Sequence, residues 1–487
     1  MPELKAIVIG AGIAGIASAI RLAVKGYKVE VFEANNNPGG KLAEINLEGF
    51  RFDAGPSLFT MPHYVDELFE LAGKKAHDYF EYEQLDEVCR YLYEDGLKLT
   101  AYSDVNKFAN EVALKTKSSA QEIHRFLEKS ETIYDVTNKV FLERSLHRIK
   151  SYWHWDTLKS MFRFNQIDAF RTQAKANKSF FKDERIVQLF NRYATYNGSN
   201  PYQAPATLNV IPHFEYHFGA FLPKRGMYSI TTSLVKLAED LGIKFYFNSK
   251  VQEIIYSKNK VKGVKVDGKE ILSDIVISNL DIWFTYRNLL KNFSAPEKIL
   301  SQERSSSALI FYWGVKGNFP ALGLHNILFA KDYKKEFDTI WKEKTIDQDP
   351  TIYINITSKH IKTDSPDNCE NWFVMINVPA NEGQNWDELI SKSKQSIIEK
   401  IDRVLKASIS SNIICEEILD PRSIEFKTGS FQGSLYGNSS NNQFAAFLRH
   451  PNFSSKIDGL YFCGGSVHPG GGIPLALLSA KIIGQEF

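Results

Sequence analysis

The segment AIVIGAGIAGIASAI, residues 6–20, joins a strand-like apolar run to a stretch of helical character through three glycines. Its length and apolarity also suit the core of a secretory signal peptide. The glycines argue against that interpretation, because Gly10, Gly12 and Gly15 have the spacing Gly-x-Gly-x-x-Gly directly after the strand. A second strand-like run, YKVEVFE, then ends at the acidic residue Glu33. This order of strand, glycine turn, helix, strand and acid predicts a βαβ unit.

In such a unit each glycine has its own task. Gly10 allows the tight turn, Gly12 lets a pyrophosphate approach the backbone, and Gly15 lets the helix lie close to the sheet. Glu33 stands roughly 20 residues further on, where an acidic side chain meets a ribose hydroxyl. The positive end of the helix would face the phosphates. The segment therefore predicts a dinucleotide-binding site.

Length and composition limit the alternatives. The chain has 487 residues, 43% of them apolar and 24% charged, as in a folded soluble protein of about three units, or two with one split by insertions. The formal net charge is +2, so we expect no nucleic-acid partner. No uninterrupted apolar run reaches the roughly 18 residues that indicate a membrane span. The four cysteines are far apart and form no zinc-type spacing, which favours a reducing compartment: Cys89, Cys369, Cys415 and Cys463.

A second glycine-containing element follows Glu33. NPGGKLAEINLEGFRFDAGPSLFTMP, residues 37–62, contains Gly39, Gly40, Lys41 and an Asp53-Ala-Gly55-Pro56 turn. Taken alone, it would be two hairpin turns. In this position it resembles the Gly-Gly-(Arg/Lys) element of the amine-oxidase and carotenoid-desaturase flavoproteins. The resemblance implies that these residues pass beside the pyrophosphate and ribityl chain of FAD.

Two later segments complete the predicted flavin site. Residues 222–281 have the pattern of turn, helix, strand, hairpin and strand, and in similar flavoproteins the backbone near Val251 faces the adenine. Residues 459–487 form a strand, a glycine-rich turn and a helix that starts near Pro474. Side chains in that turn would collide with a flat ligand, and its N–H groups suit the flavin N1 and C2 carbonyl region. The predicted contacts in this turn are Gly464, Gly465, Gly472 and Ile473.

Over its whole length the chain resembles the carotenoid desaturases of the bacterial phytoene-desaturase type. The segment HPGGGIPLALLSAK is most similar to the 1-hydroxycarotenoid 3,4-desaturase branch of that family. The chain departs from the family pattern at Val467, where Thr or Ala is usual, at Gly471, where Ala is common, and at Arg225, where a glycine pair is usual. The resemblance implies an α/β fold: a Rossmann-like FAD-binding domain of the amine-oxidase/phytoene-desaturase type, with a discontinuous substrate domain of mixed sheet plus helical cap.

The implied FAD-binding domain comprises residues 1–74, 222–284 and 451–487, and the implied substrate domain residues 75–221 and 285–450. The implied activity is an FAD-dependent oxidation of CH–CH groups: a hydride leaves an allylic carbon for the flavin, and a proton leaves the next carbon. The implied substrate is a carotenoid, with either oxygen or a membrane quinone as the electron acceptor. A phytoene desaturase, a carotenoid isomerase or carrier, and a flavin amine oxidase remain alternatives.

Three side chains are candidates for the chemistry. Asp156 and Lys159 resemble an Asp-x-x-Arg pair proposed as acid and base in relatives, although ion pairing on one helix face would also explain them. His468, in the glycine turn, could meet the hydroxyl of a 1-hydroxy end group, or it could cap the turn. His213 and His217 have helical spacing, but Glu215 is one place away from the zinc pattern His-Glu-x-x-His. Aromatic packing is therefore predicted for them, and no metal site.

A basic and aromatic segment points to a lipid surface. Residues 139–192 contain twelve Lys or Arg, five acidic residues and ten aromatic residues, including Trp153, Trp155, Phe162, Phe180 and Phe181. A solvated basic face over a core stripe would give the same pattern. Because a carotenoid crosses water poorly, we favour a face that dips into anionic lipid. The expected location is cytoplasmic, at the inner face of the membrane.

Overall fold

A computed structural model describes residues 4–145, 147, 148, 151, 153, 155–442, 444 and 448–487, without the side chains of residues 156, 158 and 161. A parallel five-stranded sheet contains strands from widely separated parts of the chain. In spatial order the strands are Lys244–Tyr246, Lys28–Phe32, Lys5–Ile9, Ile275–Ser278 and Leu460–Phe462. Short apolar runs that are buried on both faces form such strands. The predicted α/β fold with a Rossmann-like sheet is thereby confirmed.

A mixed seven-stranded sheet forms the second large layer. Its strands, in spatial order, are Ile413–Leu419, Ser307–Lys316, Cys369–Val378, Ile352–Asn355, His325–Leu328, Glu87–Leu92 and Lys98–Tyr102. Residues of its longest strands alternate between two sides: Leu309 and Phe311 pack in one core cluster with Ile397 of the helix Trp386–Leu405, whereas Ala308 and Ile310 face a large cavity. A mixed sheet is what the resemblance implied for the substrate domain.

Three smaller sheets complete the strands. They are Val251–Ser257 with Lys260–Val266 and Lys269–Leu272; the hairpin Glu44–Leu47 with Phe50–Asp53; and Phe59–Thr60 with Ala220–Pro223 and Tyr82–Gln84. Helices are interspersed with these strands along the chain. Those of the described residues are Ile13–Val24, His63–Leu71, Ala76–Asp78, Val105–Lys115, Ala120–Thr137, Asn138–Leu142, Trp155–Phe162, Phe164–Ile167, Gln173–Phe180, Glu184–Asn191, Arg192–Asn197, Ala206–Val210, Ile211–Tyr216, Tyr228–Asp240, Ile282–Phe284, Thr285–Leu289, Glu297–Leu300, Tyr333–Asp338, Thr339–Glu343, Thr357–Lys359, Lys362–Asp364, Trp386–Leu405, Pro421–Thr428, Phe431–Gly433 and Ile473–Gly484.

The first and last helices pack against each other beside the parallel sheet. Ile13–Val24 and Ile473–Gly484 belong to one core cluster, which also includes Leu234 of the helix Tyr228–Asp240. The two ends of the chain are therefore joined in one core. This arrangement agrees with a flavin domain assembled from three segments, although the domain boundaries remain a proposal.

Candidate functional site

The carboxyl ends of four parallel strands meet at one edge of the five-stranded sheet. Gly10 follows Lys5–Ile9, Glu33 follows Lys28–Phe32, Asn279 follows Ile275–Ser278, and the last strand leads to Gly464. Ligands of open α/β sheets bind at such an edge. All four residues line a cavity of about 1750 Å³. The cavity exceeds the 300–1,000 Å³ typical of a single small-ligand pocket, so it has room for a cofactor and a second ligand.

The first glycine motif has the geometry that the sequence predicted. Gly10 has φ +93°, and a Cβ on Gly15 would lie 2.2 Å from the Gly10 carbonyl oxygen, so both positions require glycine. Gly12 precedes the helix Ile13–Val24, which has no side-chain cap and no acid in its first turn. The free N–H groups of that helix end therefore remain available to an anion. Gly10 and Gly12 line the cavity, whereas Gly15 packs against the Gly10 carbonyl and is absent from the described lining.

Glu33 is buried and joins the strand edge to the glycine turn. Its carboxylate accepts hydrogen bonds from the backbone N–H of Ala11, at 2.7 Å, and of Asn35, at 2.9 Å. The side chain lines the cavity beside the glycine turn. The contact of Glu33 with a ribose remains a prediction. Val251, which the family resemblance places near the adenine, lines the same cavity.

The second glycine element packs directly on the first. The backbone N–H of Gly39 donates to the Ala11 carbonyl at 2.8 Å, and Gly40 lies against the Cα of Gly12. A Cβ on Gly55 would stand 1.8 Å from the Lys41 carbonyl oxygen, which explains the glycine of the Asp53-Ala-Gly-Pro turn. Gly39, Gly40 and Lys41 all line the cavity.

Lys41 connects this element to a distant loop. Its Nζ donates to the carbonyl oxygens of Ser434, at 3.0 Å, and Leu435, at 2.7 Å. Burial of the ammonium group lowers the pKa of Lys41 to about 8, although the carboxylate of Asp281 acts in the opposite direction. The charged form is therefore destabilised in the folded protein.

The Lys41 pKa predicts a pH dependence of stability. Between pH 8 and 10.5 the unfolded chain carries more protons on Lys41 than the folded chain does, so the contribution of Lys41 to the free energy of unfolding rises with pH in this window. We expect the wild type to gain stability relative to Lys41→Met as the pH is raised from 8 to 10. Urea unfolding of both proteins at matched flavin content measures this difference. A difference that is constant or falls with pH would contradict the assignment.

The C-terminal glycine turn closes the other side of the cavity. A Cβ on Gly465 would lie 3.2 Å from the Gly471 Cα, and a Cβ on Gly471 would lie 2.8–2.9 Å from Tyr436. The glycine at 471, where Ala is common in the family, is thus explained by the close approach of Tyr436. Gly472, with φ +103°, precedes the helix Ile473–Gly484, which again has no side-chain cap and no acid in its first turn.

The other two departures from the family pattern have local explanations. Val467 is fully buried in the core cluster that includes Ile7 and Val276. Arg225 is exposed, whereas Gly226 is buried with φ +79°, and a Cβ there would lie 2.2–2.5 Å from the guanidinium of Arg51. Only the second glycine of the usual pair is required by packing.

The residues present fit a bound FAD. Two uncapped helix N-termini, after Gly12 and Gly472, border one cavity, and Gly464, Gly465, Gly472 and Ile473 line it. Glycines leave space where a Cβ would intrude at both turns. Bare backbone and unneutralised helix ends are what a flat, anionic dinucleotide requires.

The structure also reveals site residues that the sequence did not mark. The Asn279 side chain lies against both glycine motifs: its amide nitrogen is 2.7 Å from a Cβ placed on Gly12, and its amide oxygen is 2.7 Å from one placed on Gly464. Arg449 is buried and donates to the carbonyl oxygens of Gly465, at 3.2 Å, and Tyr436, at 3.1 Å. Only the position of Asn279, directly after a strand-like run, could have pointed to its role.

His468 is not where the sequence interpretation required it. Its ring is fully buried and absent from the described lining of the cavity, and Nε2 lies 2.9 Å from the Arg144 carbonyl oxygen. The ring packs edge-on against Phe141, and burial lowers the pKa of His468 to about 3. Because its ring is buried in this packing and is absent from the described lining of the cavity, the structure does not support a contact between His468 and a substrate hydroxyl.

The other candidate side chains also lie elsewhere. Lys159 is exposed on the helix Trp155–Phe162 and does not line the cavity. Asp156 is on the same helix, but its side chain lies outside the described part of the chain. The His213 and His217 rings stack with centroids 4.3 Å apart, as predicted. No group of three potential metal ligands is found among the described residues.

Cys463 follows the last strand of the sheet and lines the cavity. Its Sγ lies 3.6 Å from the Asn279 amide oxygen, and burial raises the pKa of the thiol to about 12. All four cysteines are described and free. A thiol with a raised pKa is a poor nucleophile, so we expect no covalent bond between Cys463 and a flavin.

Comparisons with known proteins agree with this geometry. Residues 13–483 match the family model described as flavin containing amine oxidoreductase. A 1-hydroxycarotenoid 3,4-desaturase of a Flavobacterium species is 49% identical, over 98% of each chain. A 4,4'-diapolycopene oxygenase of a Methylomonas species is 32% identical, over 98% of this chain and 97% of that one.

Solved structures show the same fold at low sequence identity. Putrescine oxidase bound to putrescine covers the full chain with a TM-score of 0.64 at 12% identity, and 99% of its own chain is matched. Cyclohexylamine oxidase from Brevibacterium oxydans gives a TM-score of 0.64 at 13% identity, covering 100% of this chain and 98% of that one. At these identities the likeness shows the fold alone.

Proposed function

The chain belongs to the flavin-containing amine oxidoreductases and, within them, to the carotenoid desaturases, and from this premise we propose that it is an FAD-dependent desaturase that introduces the 3,4 double bond of a 1-hydroxycarotenoid. The observation that carries the proposal is the 49% identity to a 1-hydroxycarotenoid 3,4-desaturase over 98% of both chains. The cavity of about 1750 Å³ supports it, because it extends from the glycine motifs to the seven-stranded sheet.

The residues of the chain position the reacting groups and exclude water from the cavity. When bound, FAD supplies the acceptor for a hydride that leaves one carbon while a proton leaves its neighbour, which forms the C=C bond. The glycine turn 464–472 and the N-terminus of Ile473–Gly484 present N–H groups to negative charge on the cofactor. Apolar side chains such as Ile310, Phe373 and Met375 line the substrate part of the cavity and exclude water.

A product assay tests the proposed function. Purified protein with bound FAD is given a 1-hydroxycarotenoid and, separately, phytoene, in detergent or liposomes. We expect the hydroxylated substrate to gain one double bond with a red-shifted absorption, and phytoene to remain colourless. Colour from phytoene with the hydroxylated substrate unchanged would identify a phytoene desaturase instead. Running the assay with oxygen and, anaerobically, with a quinone identifies the electron acceptor.

We also propose that one surface of the protein contacts the membrane at its inner face. Among the described residues, no helix has the length and apolarity needed to cross a bilayer. Trp153, Trp155 and Phe162, however, are 82%, 79% and 88% exposed, close to the exposed Lys159. Exposed aromatic rings beside cations suit the interface of an anionic membrane.

Several residues of the basic and aromatic segment, residues 139–192, are buried and therefore cannot contact a membrane. Phe181 and Phe190 belong to a core cluster, Phe180 packs on Phe126, and Arg192 is buried. The membrane surface is therefore expected to consist of the exposed rings near residues 153–170 and not of the whole basic segment.

Removal of these rings is expected to release the protein from vesicles. The triple variant Trp153→Ser/Trp155→Ser/Phe162→Ser should lose at least about 10-fold in affinity for vesicles that contain anionic lipid, because three exposed apolar anchors are lost. Leu114→Ser, at an 84% exposed position on another helix, is the matched control and should bind like the wild type. Vesicle flotation at low and high salt measures both. Flotation that depends on neither the rings nor anionic lipid would reject the membrane surface.

The acid and base roles of Asp156 and Lys159 remain a proposal from the family resemblance. If Asp156 holds a proton during turnover, Asp156→Asn should lower kcat by about 100-fold or more, as loss of a general base does. Flavin absorbance verifies that the variant keeps its cofactor. Full turnover in a flavin-loaded variant would reduce the pair to an ion pair on a helix face.

A further inference from the structure

The cavity wall contains a buried polar group that the flavin site does not use. His325, on the strand His325–Leu328, and Tyr353, on Ile352–Asn355, line the cavity together with Ser57. The histidine is 4% exposed, and its Nε2 has no hydrogen-bond partner among the described residues. A buried polar atom without a partner has a free-energy cost that a ligand can remove.

Its hydrogen bonds determine which nitrogen of His325 carries the proton. The Asn355 side-chain amide donates to the Leu324 carbonyl oxygen, at 3.1 Å, which orients that amide with its nitrogen towards His325 Nδ1, at 3.2 Å. Nδ1 therefore accepts. Burial, with the nearby charges of His360 and Arg192, lowers the pKa of His325 to about 3, so the ring is neutral near pH 7. The proton of the neutral ring must then lie on Nε2, which becomes a donor without an acceptor.

A chain of hydrogen bonds joins the other nitrogen of the His325 ring, Nδ1, to the flavin side of the cavity. The Tyr353 hydroxyl lies 2.7 Å from His325 Nδ1 and 2.6 Å from the Ser57 hydroxyl. Ser57 is two residues beyond Gly55, which packs against the Lys41 carbonyl in the predicted cofactor site. The unpaired donor is thus connected through two side chains to the edge of that site.

A second buried group lies on the same wall. Arg192 donates to the hydroxyls of Tyr91, at 3.1 Å, and Tyr196, at 3.2 Å, while its Nε finds no partner in the described part of the chain. The Glu215 carboxylate accepts from the hydroxyls of Tyr193 and Tyr196 and so has its own donors. Among the described residues that line the cavity, the buried side-chain atoms without a hydrogen-bond partner are Arg192 Nε and His325 Nε2, and both are donors. A ligand with an acceptor oxygen would pair with either of them.

We propose that His325 determines substrate specificity, with its Nε2–H donating a hydrogen bond to the hydroxyl oxygen of the substrate end group. The inference rests on the proposed function. A 1-hydroxy end group places its oxygen about three C–C bonds, roughly 4–5 Å, from the 3,4 bond, so the hydroxyl partner must lie beside the flavin. A substrate without the hydroxyl leaves the donor unpaired, and a site built to hydrogen-bond a hydroxyl discriminates strongly against such an analogue.

The test compares two substrates in three proteins. A 1-hydroxycarotenoid and the matched carotenoid without the hydroxyl are given to the wild type, His325→Phe and His213→Phe. We expect the wild-type preference in kcat/KM for the hydroxylated substrate to fall about 10- to 100-fold in His325→Phe, through loss of one buried hydrogen bond. His213→Phe removes a buried histidine outside the described cavity lining and should keep the preference.

The outcomes separate the inference from the proposed function. A wild type that desaturates neither substrate would overturn the proposed function, and the inference with it. A wild type that prefers the hydroxylated substrate, with the same preference in His325→Phe, would overturn the inference alone. If His325→Phe does not retain flavin, His325→Leu decides, because it removes the same donor with a smaller apolar side chain. We expect it to reduce the preference several-fold, and an unchanged preference would reject the role of His325.

Discussion

Gly12→Val is expected to give a folded protein that lacks bound flavin. Gly12 has φ −70° and ψ 167°, a conformation open to any residue. Among the described residues, a Cβ there would contact only the Asn279 side chain, with the amide nitrogen at 2.7 Å, and no backbone atom. The fold therefore tolerates the change, but the added side chain occupies the space that a pyrophosphate needs. We expect flavin affinity to fall by at least about 100-fold, or roughly 2.7 kcal/mol, as measured by flavin absorbance after gel filtration.

Two further variants identify the cause of the loss. Asn279→Ala removes the contact that the new side chain would meet, and Gly12→Val/Asn279→Ala combines both changes. If the pyrophosphate is what Gly12 accommodates, the double variant should remain colourless. Recovery of flavin in the double variant would show that the clash with Asn279 caused the loss. Gly15→Val cannot serve in this test, because its Cβ would stand 2.2 Å from a backbone oxygen and damage the fold itself.

The sequence predicted the parts of the site that depend on local backbone requirements. Two short turns contain the glycines concerned, at 10, 12 and 15 and at 464, 465 and 472. Each glycine is needed for a positive φ or for a close approach. The pattern of glycines within each turn is enough to predict that need. Their order along the chain, with Glu33 and residues 37–62 between them, predicted one site that joins both ends. The packing of Ile13–Val24 on Ile473–Gly484 agrees with this.

The remaining site residues depend on contacts between distant segments. Asn279, Arg449 and His325 have no local motif, and each acquires its role from residues far away in the chain. His468 shows the opposite error: a histidine in the correct motif was expected to face the substrate, but its ring contacts the carbonyl of Arg144. The side to which a turn residue points depends on the packing behind the turn. Composition likewise could not separate the exposed Trp153 from the buried Phe181.

The buried ion pair next to Asn279 predicts the largest loss of stability. Asp281 lines the cavity, and its carboxylate pairs with the Arg304 guanidinium. Both side chains are at most 5% exposed. Arg304 otherwise contacts only neutral partners among the described residues, the Asn438 amide oxygen at 2.9 Å and the Ser434 hydroxyl at 3.1 Å. Asp281→Ala therefore leaves a buried cation without an anion, and we expect the free energy of unfolding to fall by about 3–5 kcal/mol.

Two comparisons test this explanation by urea unfolding of flavin-free protein. Asp281→Ala/Arg304→Met removes both charges of the pair, so it should be more stable than Asp281→Ala, because the Arg304 cation is then no longer buried without its anion. Glu388→Ala breaks an exposed pair with Lys392 and should cost no more than about 0.5 kcal/mol. A loss below about 1 kcal/mol for Asp281→Ala, or a double variant no more stable than the single one, would contradict the ion-pair explanation.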